Sequence, residues 1–361
     1  MIKNEDIIRP HAETLYADEL KWLQETDTKQ RPMNWELSPW AVVTYICGGE
    51  VEGRAIETKY FGNRRLMEIA VATLATDRAL LLLGVPGTAK TWVAEHLTAA
   101  ISGNSTLLVQ GTAGMNEDQI RYGWNYARLL TEGPTKAALV ASPIMRAMET
   151  GKIGRIEELT RMPSDVQDSL ITLLSEKILP VPELGIEVAA RKGFNIIATA
   201  NDRDRGVNDL SSALRRRFNT VVLPLPASFE EEVKIVQNRV EKIGKSLDLP
   251  PQAASIQEIK RLVKIFRELR NGVTDEGTTR VKSPSSTLST AEAISVITNG
   301  QALAAHFGNG EMSAADLAAS LTGAIIKDPT NDKIIWLEYL ETVVKTRTEW
   351  KDLYTACKEM I

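Results

Sequence analysis

The sequence predicts an α/β fold with a helical C-terminal domain, and three observations predict it. Ala79 to Leu83 is an apolar run long enough for one buried strand. Gly84 breaks it, and Trp92, Val93 and Leu97 then mark a helix face. Further strand-like runs recur at Ser105–Gln110, Ile153–Ile156, Phe194–Asn201 and Thr220–Leu225. Residues 228–361 show helical periodicity at Glu230–Lys242, Ile256–Leu269, Thr290–Thr298, Ala314–Ile326 and Ile334–Arg347.

The first run carries the most chemistry. Strand, glycine turn, Lys-Thr, helix is the order of a phosphate-binding P-loop. Gly84 and Gly87 let the backbone curl so that its N–H groups point inward, towards an anion at a helix N-terminus. The candidate nucleotide contacts are Gly84, Val85, Pro86, Gly87, Thr88, Ala89, Lys90, Thr91 and Trp92. Lys90 would reach the β- and γ-phosphates of ATP, and the Thr91 hydroxyl would ligate Mg²⁺. Ala89 stands where the usual pattern has glycine. A glycine-rich turn after any strand leaves a similar trace. The strand before it and the helix after it favour nucleotide binding.

Composition bounds the remaining classes. The 361 residues give room for two or three domains. With 43% hydrophobic and 25% charged residues, the chain reads as globular. A net charge of −4 gives no general attraction to nucleic acid. No apolar run approaches the roughly 18 residues of a membrane span, and Met1–Pro10 lacks a signal-peptide core. Cys47 and Cys357 lie far apart and form neither a metal motif nor a disulfide framework, so a cytoplasmic protein with free thiols is expected. His11, His96 and His306 are dispersed and make no zinc constellation.

Residues 1–55 are expected to form an N-terminal helical and irregular extension. His11–Gln24 has a helical pattern, Thr26–Pro39 is a proline-bearing connector, and Trp35, Trp40 and Ala41–Ile46 read as buried. A helix over Leu66–Thr76 would bury Leu66, Ile69, Ala70, Thr73 and Leu74. An insert is expected at about 111–140. It opens on a turn, Gly111–Gly114. Tyr122, Trp124 and Tyr126 then alternate as in a hairpin strand. Leu139–Met148 predicts a helix. Ser164 is expected to cap a helix with Val166, Leu170, Leu173 and Leu174 on its apolar face, and Ile178–Val188 reads as a hairpin.

A P-loop ATPase also needs an acid that holds the Mg²⁺ water shell, and a neighbouring acid that activates the attacking water. Ile153 and Ile156 supply the strand, and Glu157 and Glu158 the pair. Glu157 is one methylene longer than the usual aspartate, and Gly154 and Arg155 make this strand less apolar than usual. Two glutamates after a half-apolar run often mark only a solvated turn. Their distance behind the P-loop favours the site. Asn201 ends the next apolar strand, where an amide can orient the water and sense the γ-phosphate. Arg215, Arg216 and Arg217 precede Phe218. In a ring ATPase an arginine here projects into the neighbouring subunit's site as a finger. Arg217 is the first choice and Arg216 the second. A nucleic-acid contact is the weaker reading, because no aromatic residues interleave the triplet.

Taken together, Gly62, Gly84–Thr91, Glu157-Glu158, the helix from Pro163, Asn201 and Arg217-Phe218 resemble an AAA+ ATPase of the MoxR group, in the clade with an insert in the second helix. The form Gly-Val-Pro-Gly-x-Ala-Lys-Thr is typical of that group and accommodates Ala89. The likeness covers roughly residues 56–300. It implies an AAA+ P-loop core with a five-stranded parallel sheet over 56–226, with Gly62 closing over the adenine, and a helical lid over 227–361. It also implies a ring of six subunits that remodels a protein client, with a von Willebrand A domain protein as the expected partner. One departure concerns the lid. Relatives carry an arginine just after a Ser-Pro, whereas here Ser283-Pro284 is followed by Ser285-Ser286, with Lys282 or Arg280 as substitutes. That departure and Glu157 support an alternative, an ATP-binding scaffold that hydrolyses slowly. A nucleic-acid motor is the weakest reading.

Overall fold

The computed structural model describes residues 7–201, 208–249 and 255–361. They divide into two compact units. One comprises the chain up to Val85 and Ala89–Pro224; the other comprises Leu225–Ile361 with Pro86–Thr88.

The first unit begins with helices α1 (Ala12–Leu15), α2 (Ala17–Thr26) and α3 (Pro39–Cys47), a short hairpin β1 (Gly49–Val51) and β2 (Arg54–Ile56), and helix α4 (Arg64–Leu74). Strand β3 (Ala79–Gly84) and helix α5 (Lys90–Ser102) follow, then β4 (Leu108–Gln110). After β4 lie β5 (Tyr122–Trp124), α6 (Tyr126–Glu132) and β6 (Leu139–Ala141). Next come α7 (Pro143–Thr150), β7 (Ile153–Glu157), α8 (Ser164–Glu176), the hairpin β8 (Ile178–Val181) and β9 (Ile186–Ala189), β10 (Asn195–Asn201), α9 (Ser212–Arg215) and β11 (Phe218–Val222).

Five strands form one parallel sheet in the order β11-β3-β10-β7-β4. Successive side chains of a strand point to opposite faces. Leu80 and Leu82 therefore pack with Val93 and Leu97 of α5 and with the N-terminal helices, while Ala79 and Leu81 join Met145 and Met148 of α7 and Leu170 of α8. A parallel sheet covered on both faces needs apolar residues on both, which is why β3 reads as a continuous leucine run. The register also sets the site. Asn201 is level with Gly84, and Ala198 is level with Ile156, so three strands end side by side.

The second unit is helical: α10 (Phe229–Ser246), α11 (Ile256–Asn271), α12 (Thr290–Phe307), α13 (Ala314–Ile325), α14 (Asn331–Thr342) and α15 (Lys351–Glu359). Its core includes Val236, Phe266, Ile297, Leu321 and Trp336. Glu232, fully buried, accepts bonds from Arg267, Arg270 and Thr290, which ties α10, α11 and α12 together. A buried carboxylate without such donors would be strongly destabilising.

Several expectations are corrected. Trp40 is 41% exposed at the first turn of α3, with the Lys29 ammonium over its ring. Helix α4 buries Met67, Ala70, Val71, Thr73 and Leu74, and leaves Ile69 exposed. Leu139–Ala141 pairs with β5 as a strand, and the helix starts only at Pro143, capped by the Ser142 hydroxyl. Tyr126 begins α6 and does not continue the strand. Ser164 is the first residue of α8 and gives no cap; Pro163 precedes it. Helix α15 was not anticipated, because its short pattern follows two 3₁₀ turns, Val344–Thr346 and Thr348–Trp350. Among the described residues, no helix is long and apolar enough to cross a membrane. Cys47 and Cys357 are free thiols, and burial pushes them up to about 11 and about 12, which makes both poor nucleophiles.

Candidate functional site

The site lies at the carboxyl ends of β3, β10 and β7, the edge of a parallel sheet where ligands of α/β proteins bind. The chain leaves β3 at Gly84 and enters α5 at Lys90. The first N–H groups of α5 have no partner within the helix, so its start favours an anion. Lys90 is buried, and its Nζ donates to the carbonyls of Gly84 and Val85 at 2.8 and 2.9 Å. The ammonium is thus held over the loop itself, where it can exchange carbonyl oxygens for phosphate oxygens.

Ala89 explains its own oddity. Its φ of 64° is left-handed, a conformation that glycine adopts freely and that strains alanine by about 1–2 kcal/mol. Ala89→Gly should therefore stabilise the nucleotide-free protein by about 0.5–1 kcal/mol, after allowing for the greater freedom of an unfolded glycine. Denaturant unfolding will check this; a destabilised variant would show that the methyl group packs favourably.

Hydrogen bonds from β7, β10 and α5 position the acid pair, three of them on the Glu157 carboxylate. Glu157 is buried at the end of β7. Its Oε2 accepts from Thr91 Oγ1 at 2.8 Å and from Thr199 Oγ1 at 2.5 Å, and its Oε1 accepts from Arg155 Nη2 at 2.8 Å. Glu158 has a φ of 55°, which turns the chain out of the strand. It is half-buried, and its Oε2 accepts from Asn201 Nδ2 at 3.1 Å. Its backbone N–H donates to Thr199 Oγ1 at 3.2 Å. Gly111 closes the turn from the other side. Its N–H donates to the Glu157 carbonyl at 2.7 Å, and a Cβ there would sit 2.4 Å from the Glu158 carbonyl oxygen.

The structure therefore brings Lys90, Thr91, Glu157, Glu158 and Asn201 together. Thr199, Arg155 and Gly111 were not singled out for the site. Thr199 lies inside an apolar strand, and only the period-two spacing to Asn201 hints that it faces the same way. Trp92 Nε1 donates to the Lys59 carbonyl at 2.9 Å, and its ring lies against His96. That bond ties α5 to the loop before Gly62, which is itself exposed ahead of α4.

The two arginine candidates lie elsewhere. Arg217 O accepts from Ala79 N, at the end of β3 opposite to Gly84. Five residue steps along β3 separate those ends, about 16 Å. Arg217 donates through Nε to Ser175 and through Nη1 to the Ala213 carbonyl at 2.6 Å. Arg216 is exposed, and its carbonyl accepts from Arg78. Neither arginine can reach Glu158 of its own chain. In the helical unit, Lys282 pairs with Glu338 at 2.7 Å, and Arg280 is exposed.

The donors suit Mg²⁺. Thr91 and Glu157 offer hard oxygen ligands already 2.8 Å apart. Among the described residues no cluster of three His, Cys, Asp or Glu side chains could hold a metal. Mg²⁺ in phosphate-transfer sites characteristically takes one or two protein oxygens and completes its shell with water and phosphate.

Comparison with known proteins defines the class. Residues 79–218 match the AAA domain of the dynein-related subfamily, and residues 230–360 match the C-terminal domain of YehL-like AAA+ ATPases. Fold and site together are those of an AAA+ ATPase, a nucleotide-binding class. The chain is 40% identical over 361 residues to YehL of Escherichia coli strain K12, covering 98% of each. It belongs to the YehL family of AAA+ ATPases. It is also 26% identical to midasin of Dictyostelium discoideum over 154 residues, 41% of this chain and 2% of that one. Crystal structures of NtrX from Brucella abortus, in complexes with ADP and with ATP, superpose with TM-scores of 0.51 and 0.50 at 14% and 13% identity. They cover 82% and 81% of this chain, which spans 61% and 60% of theirs; the likeness is one of fold.

Proposed function

We propose that this protein is a MoxR-type ATP hydrolase that works in the cytoplasm as a ring, with six subunits as the expected number, and remodels a protein client. The observation that supports it most is the convergence of Lys90, Thr91, Glu157, Glu158 and Asn201 on one sheet edge. Lys90 and the loop amides would bind the phosphates. Thr91 and Glu157 would hold Mg²⁺, which would supply positive charge to offset the negative charge of the phosphates. Glu158, steadied by Asn201, would take a proton from the water that attacks the γ-phosphorus, releasing ADP and phosphate. The insert at 111–140 and the helical unit, as a lid over 227–361, would carry nucleotide state to the client. A von Willebrand A domain protein is the expected client, by likeness to MoxR-type proteins.

The alternative is a scaffold that binds ATP and turns it over slowly. Glu157 in place of aspartate favours it, as does the surface pairing of Lys282, one of the two substitutes for the lid arginine, with Glu338. Steady-state turnover of Mg-ATP separates the two. Wild-type hydrolysis should disappear in Lys90→Ala. That variant should also bind mant-ATP about 10–100-fold more weakly, the weight of a hydrogen bond to a charged group. No turnover by the wild type, with ATP-dependent rings still forming, would establish the scaffold.

A further inference from the structure

Arg155 is the least expected residue in the sheet. Strand β7 lies between β10 and β4, and central parallel strands are ordinarily apolar on both faces. Yet Arg155 is 3% exposed. Its Nη1 donates to the Ser105 carbonyl at 3.0 Å, and its Nη2 donates to Glu157 Oε1 at 2.8 Å and lies 3.5 Å from the Thr91 carbonyl. Among the described residues, its Nε has no hydrogen-bond partner. A buried ion pair with an unsatisfied donor is a poor stabiliser; an apolar residue of similar size commonly does as well or better. The pair as a whole is therefore a weak reason for an arginine here, although the buried Glu157 carboxylate, once present, needs its donor.

The geometry offers another account. Glu157 is a long acid with two oxygens to place. Thr91 and Thr199 take Oε2, and Arg155 takes Oε1. Residues 155 and 157 lie two apart on one strand, so their side chains leave the same face. We propose that Arg155 is a positioning residue for the metal site. It pins one carboxylate oxygen of Glu157 so that the other stays turned to Thr91, where the Mg²⁺ shell would form. A glutamate then does what the usual, shorter aspartate would do. Partners that orient metal-holding side chains typically change metal affinity or activity by about 10–100-fold when lost. This inference rests on the proposed Mg-nucleotide site.

The test measures binding, independently of turnover. Mant-ADP fluorescence is titrated with MgCl₂ in the full-length wild type, Arg155→Met and Arg155→Lys, with unfolding curves for each. Arg155→Met should need about 10-fold more Mg²⁺ for half-maximal response. Arg155→Lys, which keeps the charge but loses the guanidinium fork, should need about 3-fold more. A folded Arg155→Met within 2-fold of wild type would overturn the proposal, and a changed unfolding midpoint alone would mark Arg155 as merely structural. If Arg155→Met does not fold, Arg155→Lys decides by the same 2-fold limit. Mant-ADP binding by wild type that is absent or indifferent to Mg²⁺ would remove the site itself, a failure visible before any variant is compared.

Discussion

Glu158→Gln is expected to lower the steady-state rate of ATP hydrolysis by at least about 10²-fold, the usual weight of a general base. Binding of mant-ATP should stay within about 3-fold of wild type. The amide keeps an oxygen that can accept from Asn201 Nδ2, so the local hydrogen bond survives. Glu158 is only half-buried, so its loss leaves no buried charge unpaired. What disappears is the capacity to take a proton from water. The selectivity of the effect matters as much as its size. Equal loss of binding and turnover would point to a damaged turn, because Glu158 occupies a left-handed position that a neighbouring change could disturb. An unchanged rate would take Glu158 out of the mechanism.

The second large effect is expected at Arg216. Arginine fingers contribute about 10³–10⁵-fold to turnover, and Arg216→Ala should lose at least the lower figure. Of the two candidates, we favour Arg216 over Arg217. Arg217 donates to Ser175 and to the Ala213 carbonyl of its own subunit, whereas the Arg216 side chain is exposed. Both stand at the end of the sheet opposite to the P-loop, so a finger could serve only a neighbouring site. Mixing Arg216→Ala with Glu158→Gln subunits should then restore turnover that neither variant has alone. In a mixed ring, an intact arginine next to an intact glutamate makes a complete site. No restoration would leave Arg216 a surface residue. Loss in Arg217→Ala, with none in Arg216→Ala, would assign the finger to Arg217.

Much of the site was legible in the sequence because its parts are local. Gly84–Thr91 is contiguous, and its strand-turn-helix context is readable from periodicity. Asn201 ends an apolar run and Glu157-Glu158 a half-apolar one, and the end of a buried parallel strand is where a polar residue can serve a ligand. Thr199 and Gly111 were not legible. One is a small polar residue in an apolar strand, and the other a glycine in a loop; each acquires its role from a partner over 40 positions away in the chain. The misread helix at Leu139 has the same cause. A short apolar segment suits helix or strand equally, and pairing with Tyr122–Trp124 decided it. Ile69 and Trp40 were misplaced because a helix face is buried only where another element covers it.

By itself, then, the sequence determined the phosphate loop, the strands that carry the acids and the amide, and the all-helical C-terminal part. These follow from side-chain period and turn chemistry, which act over a few residues. Only the tertiary structure decided how the acids are held. Register places Asn201 beside Gly84 and brings the Thr91 and Thr199 hydroxyls to one oxygen of Glu157. It also turned Arg155 from a blemish in an apolar strand into a partner of Glu157. A buried charge is tolerable only where its partner lies, and that place is set by packing between segments that the sequence keeps apart.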